Sequence, residues 1–410
     1  MFDHNKKDVS SILLTGATGV MGGRILLEIL TTTDIEVYCL IRAENSQQAM
    51  ERLKGILFAY DQEKQSEHTH HRIIPVLGDV SKKRLGLTQE LYRELADKVD
   101  RVIHCAANVS LVASYKKIAP VNVQGTQHVI DFCLQGNVPM LHASSFSMAG
   151  DCLYKDGFVL HETDLDVGQR FDDMDYERSK FESEKIIHSA GKKGLKWVIV
   201  RPGNIWGEST NGRYPLAHTN VKGIYYEMVK ALVETGLTFN AQDDFDITPV
   251  DYVAEASLYA IFNIEKFNGK TLNLTNPNPI TFNDIVSFLR DFGYRIDTIN
   301  MNDYMEALSQ NRLYRYDQPY RSVFTDLLGL FYSGMELTEK AKYSTQLTTE
   351  LLSGSGIQCP LSDRTLLFHY FNYLIECEFI APPQQQGERA EIREASVRGS
   401  YLEQLFDADL

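Results

Sequence analysis

The stretch ILLTGATGVMGGRIL, residues 12–26, constrains the fold more than any other part of the chain. A short apolar run, Ser11 to Thr15, is stopped by glycines and followed from Val20 by apolar residues at helical spacing. The glycines fall as G-x-x-G-x-x-G at Gly16, Gly19 and Gly22. A strand, a tight glycine turn and a helix in direct succession make the opening unit of a dinucleotide-binding sheet. The first glycine permits the turn, the second lets backbone approach a pyrophosphate, and the third lets helix pack on strand. The helix N-terminus then offers free N–H groups and its positive dipole end to the phosphates.

The pattern continues downstream. Apolar strands are expected at 35–41, 73–77, 101–106, 138–143, 195–200 and 270–275. Helices are expected between them at 20–30, 43–59, 88–98, 115–134 and 173–189, and 248–261 reads as a return to the main domain. Apolar strands alternating with helices predict a parallel sheet covered on both faces, a doubly wound α/β Rossmann architecture. The sequence divides into a Rossmann domain over 1–280 and a smaller, mostly helical substrate-side domain over 281–382, with 205–240 contributing to the substrate side. The segment 383–410, opening near PPQQQGERAE, reads as a flexible tail.

Composition narrows the function classes. The chain has 410 residues, 43% hydrophobic, with a formal net charge of -14. An acidic chain of this kind is not a general nucleic-acid binder. Its six cysteines are scattered without a C-x-x-C pair, as expected for reduced thiols in a cytoplasmic protein. MFDHNKKDVS carries no apolar signal core, and no apolar run approaches a membrane span. His68, His70 and His71 lie in a polar loop without ligand partners at suitable spacing, so no metal site is expected. No feature specifies an oligomeric state.

Two further stretches carry chemistry. In DYERSKFESEK, Tyr176 precedes Lys180 by four residues, which places phenol and ammonium on one helix face. HASSFSMAG follows an apolar strand, so Ser144 and Ser145 sit at a strand's C-terminal edge, where such sheets bind ligands. At the end of the second strand, CLIRAENS has Arg42 where an acidic residue would favour NAD. A basic residue there suits a 2′-phosphate and points to NADP(H), with Arg52 on the next helix and Arg24 after the glycine loop as further cations.

Together TGATGVMG, HCAANV, NVQGT, SSFSMAG, YERSK, RPGNIWG and PVDYVAEA resemble the extended short-chain dehydrogenase/reductase superfamily. LIRAENSQQAMERL, VLGDVSKKRLGL and VDRVIHCAANVSLVASYKKIAPVNVQGT are similar to the thioester reductase group within it. That group comprises the terminal reductase domains of carboxylic acid reductases and of peptide and polyketide synthetases, with fatty acyl-CoA reductases as relatives. The resemblance covers 11–280 strongly and continues more loosely to about 382. It implies a catalytic set of Ser145, Tyr176 and Lys180 with Asn122 in support. Ser145 is preferred to Ser144 from its register with Gly150. The resemblance also implies cofactor contacts from the loop Gly16–Gly22, including Thr18, Gly19, Val20 and Met21. Asp79 and Val80 would lie near the adenine, Ala106 and Ala107 along the cofactor, and Pro202 and Gly203 at the nicotinamide end.

The residues themselves suit carbonyl reduction. Charge builds on the carbonyl oxygen as hydride arrives, and a phenol can protonate it. The ordinary phenol pKa of about 10 is high, and a neighbouring ammonium is expected to lower it. Ser145 would hydrogen-bond the same oxygen. The implied reaction is NADPH-dependent reduction of an acyl thioester, held on an acyl or peptidyl carrier protein or on coenzyme A. Its product is an aldehyde, which a second reduction would carry to the alcohol. Two other readings fit parts of the pattern. One is a different extended reductase, such as a sugar-nucleotide epimerase or dehydratase or a ketone or alcohol dehydrogenase. The other is a non-catalytic NADP-binding sensor or interaction protein.

Overall fold

The computed structural model describes residues 9–111, 113–216, 223–241, 244–304 and 340–383. The tail from 384 and the whole of 305–339, part of the domain expected to be mostly helical, lie outside the described residues, as do 217–222.

Seven parallel strands form the central sheet: β1 (Ser11–Thr15), β2 (Glu36–Ile41), β3 (Ile73–Leu77), β4 (Arg101–His104), β5 (Met140–Ala143), β6 (Trp197–Pro202) and β7 (Lys270–Leu274). Their spatial order is β7-β6-β5-β4-β1-β2-β3. Every residue of β1, β5 and β6 is buried. That is why the strands read as continuous apolar runs, with successive side chains feeding the cores on opposite faces.

Helices α1 (Val20–Thr32), α2 (Ser46–Tyr60) and α7 (Val250–Phe262) supply the core on one face. On the other face lies α3 (Gln89–Lys98). Beside it runs α4, built from Tyr115–Ala119, a π turn at Pro120–Gln124 and Gly125–Gly136 without a break in right-handed dihedrals. The same face carries α5 (Asp175–Gly191). The chain runs outward from β1 to β3 and then returns to β4 on the other side of β1. The crevice at that reversal is where open α/β sheets bind ligands.

A second apolar cluster lies beyond the sheet. It gathers Trp206, Tyr226 of α6 (Ile224–Thr235), Phe282 and Phe288 of α8 (Phe282–Phe292), and Tyr370 and Phe371 of α9 (Arg364–Glu376). The stretch after 340 also reaches back to the sheet. Lys342–Tyr343 pairs in parallel with Val159–Leu160. The Thr348 hydroxyl accepts the Asn273 N–H of β7 at 3.0 Å, and Asn273 Nδ2 donates to the Ser344 carbonyl at 2.9 Å. The polar stretch after α2 ends in a 3-10 helix, Glu67–Arg72, where a loop was expected. Among the described residues no helix is long and apolar enough to cross a membrane.

Candidate active site

The glycine loop joins β1 to α1 at the sheet's reversal point. Gly16 has φ +75°, and a Cβ there would fall 2.6 Å from the backbone N of Ala106. A Cβ on Gly22 would fall 2.2 Å from the Gly16 carbonyl oxygen. Glycine is therefore required for β1, β4 and α1 to approach this closely. Gly19 caps α1 without a side chain, leaving first-turn amides for an anion. A cleft of about 560 Å³ opens here, walled by the glycine loop with Thr18, by Arg42 and Arg52, by Asp79 and Val80, and by Ala106 and Ala107. Its cradle of glycine backbone beside a helix N-terminus fits a dinucleotide. Val20 and Met21 open α1 directly behind the loop.

Asp79 is fixed by an unusual turn. Arg84, Leu85 and Gly86 all take left-handed φ of 53°, 58° and 73°. This turns the Leu85 carbonyl to accept the Asp79 N–H at 2.7 Å. The side chain of Leu85 is fully buried, which offsets the backbone strain. Arg42 is exposed at the end of β2, and its carbonyl accepts from the Arg52 guanidinium. Arg24 does not join them. Its Nε donates to Glu208 at 2.6 Å and its Nη1 to Glu28 at 2.8 Å, in a buried network.

The second half of the site hangs on β5 and α5. Lys180 is 3% exposed, and its ammonium donates to the Ala143 carbonyl at the end of β5 at 2.9 Å. That ammonium lies 5.8 Å from the centre of the Tyr176 ring. Ser145 lies beside the Tyr176 phenol, close enough to draw its pKa down. It accepts from the Ser147 hydroxyl at 2.8 Å. Ser144 points elsewhere, donating to Glu184 at 2.6 Å. The structure thus brings Ser145, Tyr176 and Lys180 together and sets Ser144 apart. Pro202 ends β6, and the Gly203 N–H donates to the Leu274 carbonyl at 3.0 Å.

Asn122 sits in the π turn of α4. Its Oδ1 accepts the Asn108 N–H at 2.7 Å, while its Nδ2 donates to the Asn108 carbonyl at 3.0 Å and to Ser179 at 2.8 Å. It ties the loop after β4 to α5 and is a positioning residue in this geometry. The π turn frees its carbonyl, which accepts from Thr126 at 2.6 Å and Ser183 at 2.8 Å. His104 is a buried spacer between Thr15 and Thr126, driven down to about 3 by burial and so neutral.

The protonation pattern differs from the sequence expectation. Burial and the neighbouring Glu177 hold the Tyr176 phenol well above its ordinary value, with the nearby Ser145 opposing them. Lys180 does not lower it. Instead burial pushes Lys180 itself down to about 8, partly countered by Cys105 and Glu184. The phenol is a secure proton donor at neutral pH, and the ammonium is the group that titrates nearby. We expect kcat/KM for the reduction proposed below to fall as pH rises through about 8, because the free protein then loses the ammonium. A profile flat to pH 10 would contradict this. The linkage has the opposite sign for stability. The unfolded chain keeps this proton up to its ordinary 10.5, so burying Lys180 is unfavourable below pH 8 and neutral above 10.5.

Sequence reading missed the buried pair behind the serines. Arg201 of β6 and Glu184 of α5 are both fully inaccessible. Arg201 Nε and Nη2 donate to the two Glu184 oxygens at 2.9 and 2.7 Å. Glu184 in turn accepts from Ser144, so the pair anchors the β5 end that presents Ser145. A lone charge on a helix and another in a strand give no signal until the two elements are placed side by side.

The decisive likeness is a family profile described as "Male sterility protein", an NAD-binding family, which matches residues 14–257. The chain belongs to that family. It is 27% identical over 375 residues to a linear gramicidin synthase of Brevibacillus parabrevis, covering 91% of this chain and 7% of that protein. It is 27% identical over 406 residues to the L-2-aminoadipate reductase large subunit of Penicillium chrysogenum, covering 92% of this chain and 28% of that protein. The chain therefore spans less than a third of the length of these curated relatives. Among solved structures, the terminal R domain from the myxalamid PKS-NRPS biosynthetic pathway superposes with a TM-score of 0.81 at 26% identity, over 92% of this chain and 93% of that one. The aminoadipate reductase and the terminal R domain among them are of the kind that the motifs resemble.

Proposed function

We propose that the chain reduces an acyl thioester, held on a carrier protein or coenzyme A, to the aldehyde with NADPH, and that a second round can yield the alcohol. The convergence of Ser145, Tyr176 and Lys180 at the end of β5, beside the glycine cleft, carries this reading. The likeness to proteins named as an aminoadipate reductase and as the terminal R domain of a PKS-NRPS pathway supports the substrate class.

The residues divide the work. Gly16 and Gly22 let β1, β4 and α1 pack closely, so that Gly19 and the first-turn amides of α1 would hold the pyrophosphate. Asp79 and Val80 border the adenine end, Ala106 and Ala107 the middle, and Pro202 and Gly203 the nicotinamide end. When bound, the nicotinamide supplies the hydride. Ser145 holds the thioester carbonyl oxygen, and the Tyr176 phenol protonates that oxygen as charge develops. The resulting hemithioacetal collapses, releasing the thiol and leaving the aldehyde. Lys180, fixed to Ala143, would hold the nicotinamide ribose.

Arg42, with Arg52 beside it, is assigned to the 2′-phosphate of NADPH. Arg42→Ala is expected to raise the Kd for NADPH about tenfold or more while changing that for NADH little, as read by fluorescence titration. Equal loss for both nucleotides, or a wild-type preference for NADH, would remove Arg42 from this role and NADPH from the proposal.

A further inference from the structure

A separate cavity of about 270 Å³ lies past the end of the catalytic edge, between Asn204, Asp246 and Asn276 on one side and Ala341–Tyr343 on the other. Asn204 follows β6 and Asn276 follows β7, the next two strands beyond the β5 edge that carries Ser145. Neighbouring strands are spaced about 4.8 Å apart, so the cavity is within reach of a short chain attached to a carbonyl at Ser145. Phe146, next to Ser145, packs against Tyr343 of the cavity wall with ring centres 4.8 Å apart. The volume is below the ~300–1,000 Å³ of drug-sized sites and suits one small acyl group.

The lining has a definite chemical character. Tyr225, Phe245 and Tyr343 provide aromatic walls, and Asp244 and Asp246 provide two carboxylates. Asp246 is 6% exposed. It accepts the Asn204 N–H at 2.6 Å, the Asn276 N–H at 2.7 Å and the Thr248 hydroxyl at 2.8 Å. Among the described residues no cationic side chain pairs with it. Asp244 and Lys342 are exposed, and the single ammonium of Lys342 leaves the lining with one negative charge in excess. Aromatic faces and an uncompensated carboxylate both favour a cation. An alkyl end would gain nothing from the carboxylates, and an anionic end would be repelled by them.

We propose that this cavity receives the distal end of the acyl group and selects one carrying a protonated amine. The proposal rests on the thioester reductase reading and deepens it. The ammonium would sit among Tyr225, Phe245 and the two carboxylates while the carbonyl lies at Ser145 and Tyr176.

The test uses the whole chain with NADPH and matched pantetheine thioesters, β-alanyl against butyryl and 6-aminohexanoyl against heptanoyl. At least one amine ester is expected to exceed its alkyl partner in kcat/KM by about tenfold. Asp244→Asn, a change at an exposed position, should lower that ratio by about threefold or more. Tyr225→Leu should lower it as well, with thermal melting to confirm that each variant folds. Turnover of all four esters with ratios near one overturns the proposal, as does a ratio unmoved by Asp244→Asn. Absence of turnover with every ester removes the reductase reading, and the proposal falls with it.

Discussion

Tyr176→Phe is expected to lower thioester reduction by about 10²–10⁴-fold, the usual contribution of a positioned proton donor. The loss should fall on kcat, with the Kd for NADPH within about twofold of wild type. The phenylalanine ring keeps the apolar bulk of Tyr176 in its place beside Lys180, so the cofactor cleft and the α5 backbone are undisturbed. What disappears is the phenolic proton beside Ser145. Burial keeps that proton on the phenol across the neutral range, so no other group in the pair can stand in for it there. Lys180 is committed to the Ala143 carbonyl, and His104 is neutral and held between two threonines. Undiminished turnover in Tyr176→Phe would remove the tyrosine from the chemistry.

Glu184→Ala should have the largest effect on stability, about 3–5 kcal/mol. It leaves the Arg201 guanidinium fully buried without its carboxylate and frees the Ser144 hydroxyl at the same time. Arg201 retains only carbonyl acceptors, at His161 and Asp164. Carbonyl dipoles cannot neutralise a buried cation. The measurement is the shift in melting temperature by calorimetry. Replacing both partners together, Glu184→Leu with Arg201→Met, should recover much of the loss, because the desolvation of the cation is removed with its partner. An unchanged melting temperature in Glu184→Ala would mean that water reaches Arg201. Because the pair holds the end of β5, the single variant should also reduce turnover more than it reduces nucleotide binding.

The central sheet is legible in the sequence because both of its faces are covered. SILLT and WVIVRP are buried along their whole lengths, and such runs separated by helical periods admit few other folds. Element ends differ by a residue or two, as at β5, which starts at Met140 where 138 was expected. The glycine loop, Tyr176 and Lys180 are legible because local geometry alone puts them in position. Register separates Ser145 from Ser144, and the two hydroxyls do face different partners.

What escapes the sequence depends on distant elements meeting. Arg24 follows the glycine loop in the chain, but Glu208 lies 184 residues away and claims it in space. The direction of the Tyr176 shift runs against expectation because proximity to Lys180 is visible in the sequence and burial, which dominates both groups, is not. The return of 342–343 to the strand at 159–160 is carried by two residues, too short a run to leave a periodic pattern. Its anchors are polar side chains, Asn273, Ser344 and Thr348, which in sequence read as ordinary loop residues.

The most direct measurement follows the hydrogen. NADPH carrying deuterium at the transferable C4 position would be incubated with the protein and an acyl-pantetheine thioester, and the products weighed by mass spectrometry. Hydride transfer to the thioester predicts free thiol together with an aldehyde bearing one deuterium on its carbonyl carbon, or an alcohol bearing two. Thiol released with an unlabelled acid or cyclised product would contradict the proposed reduction, because the thioester would then have been cleaved without hydride transfer.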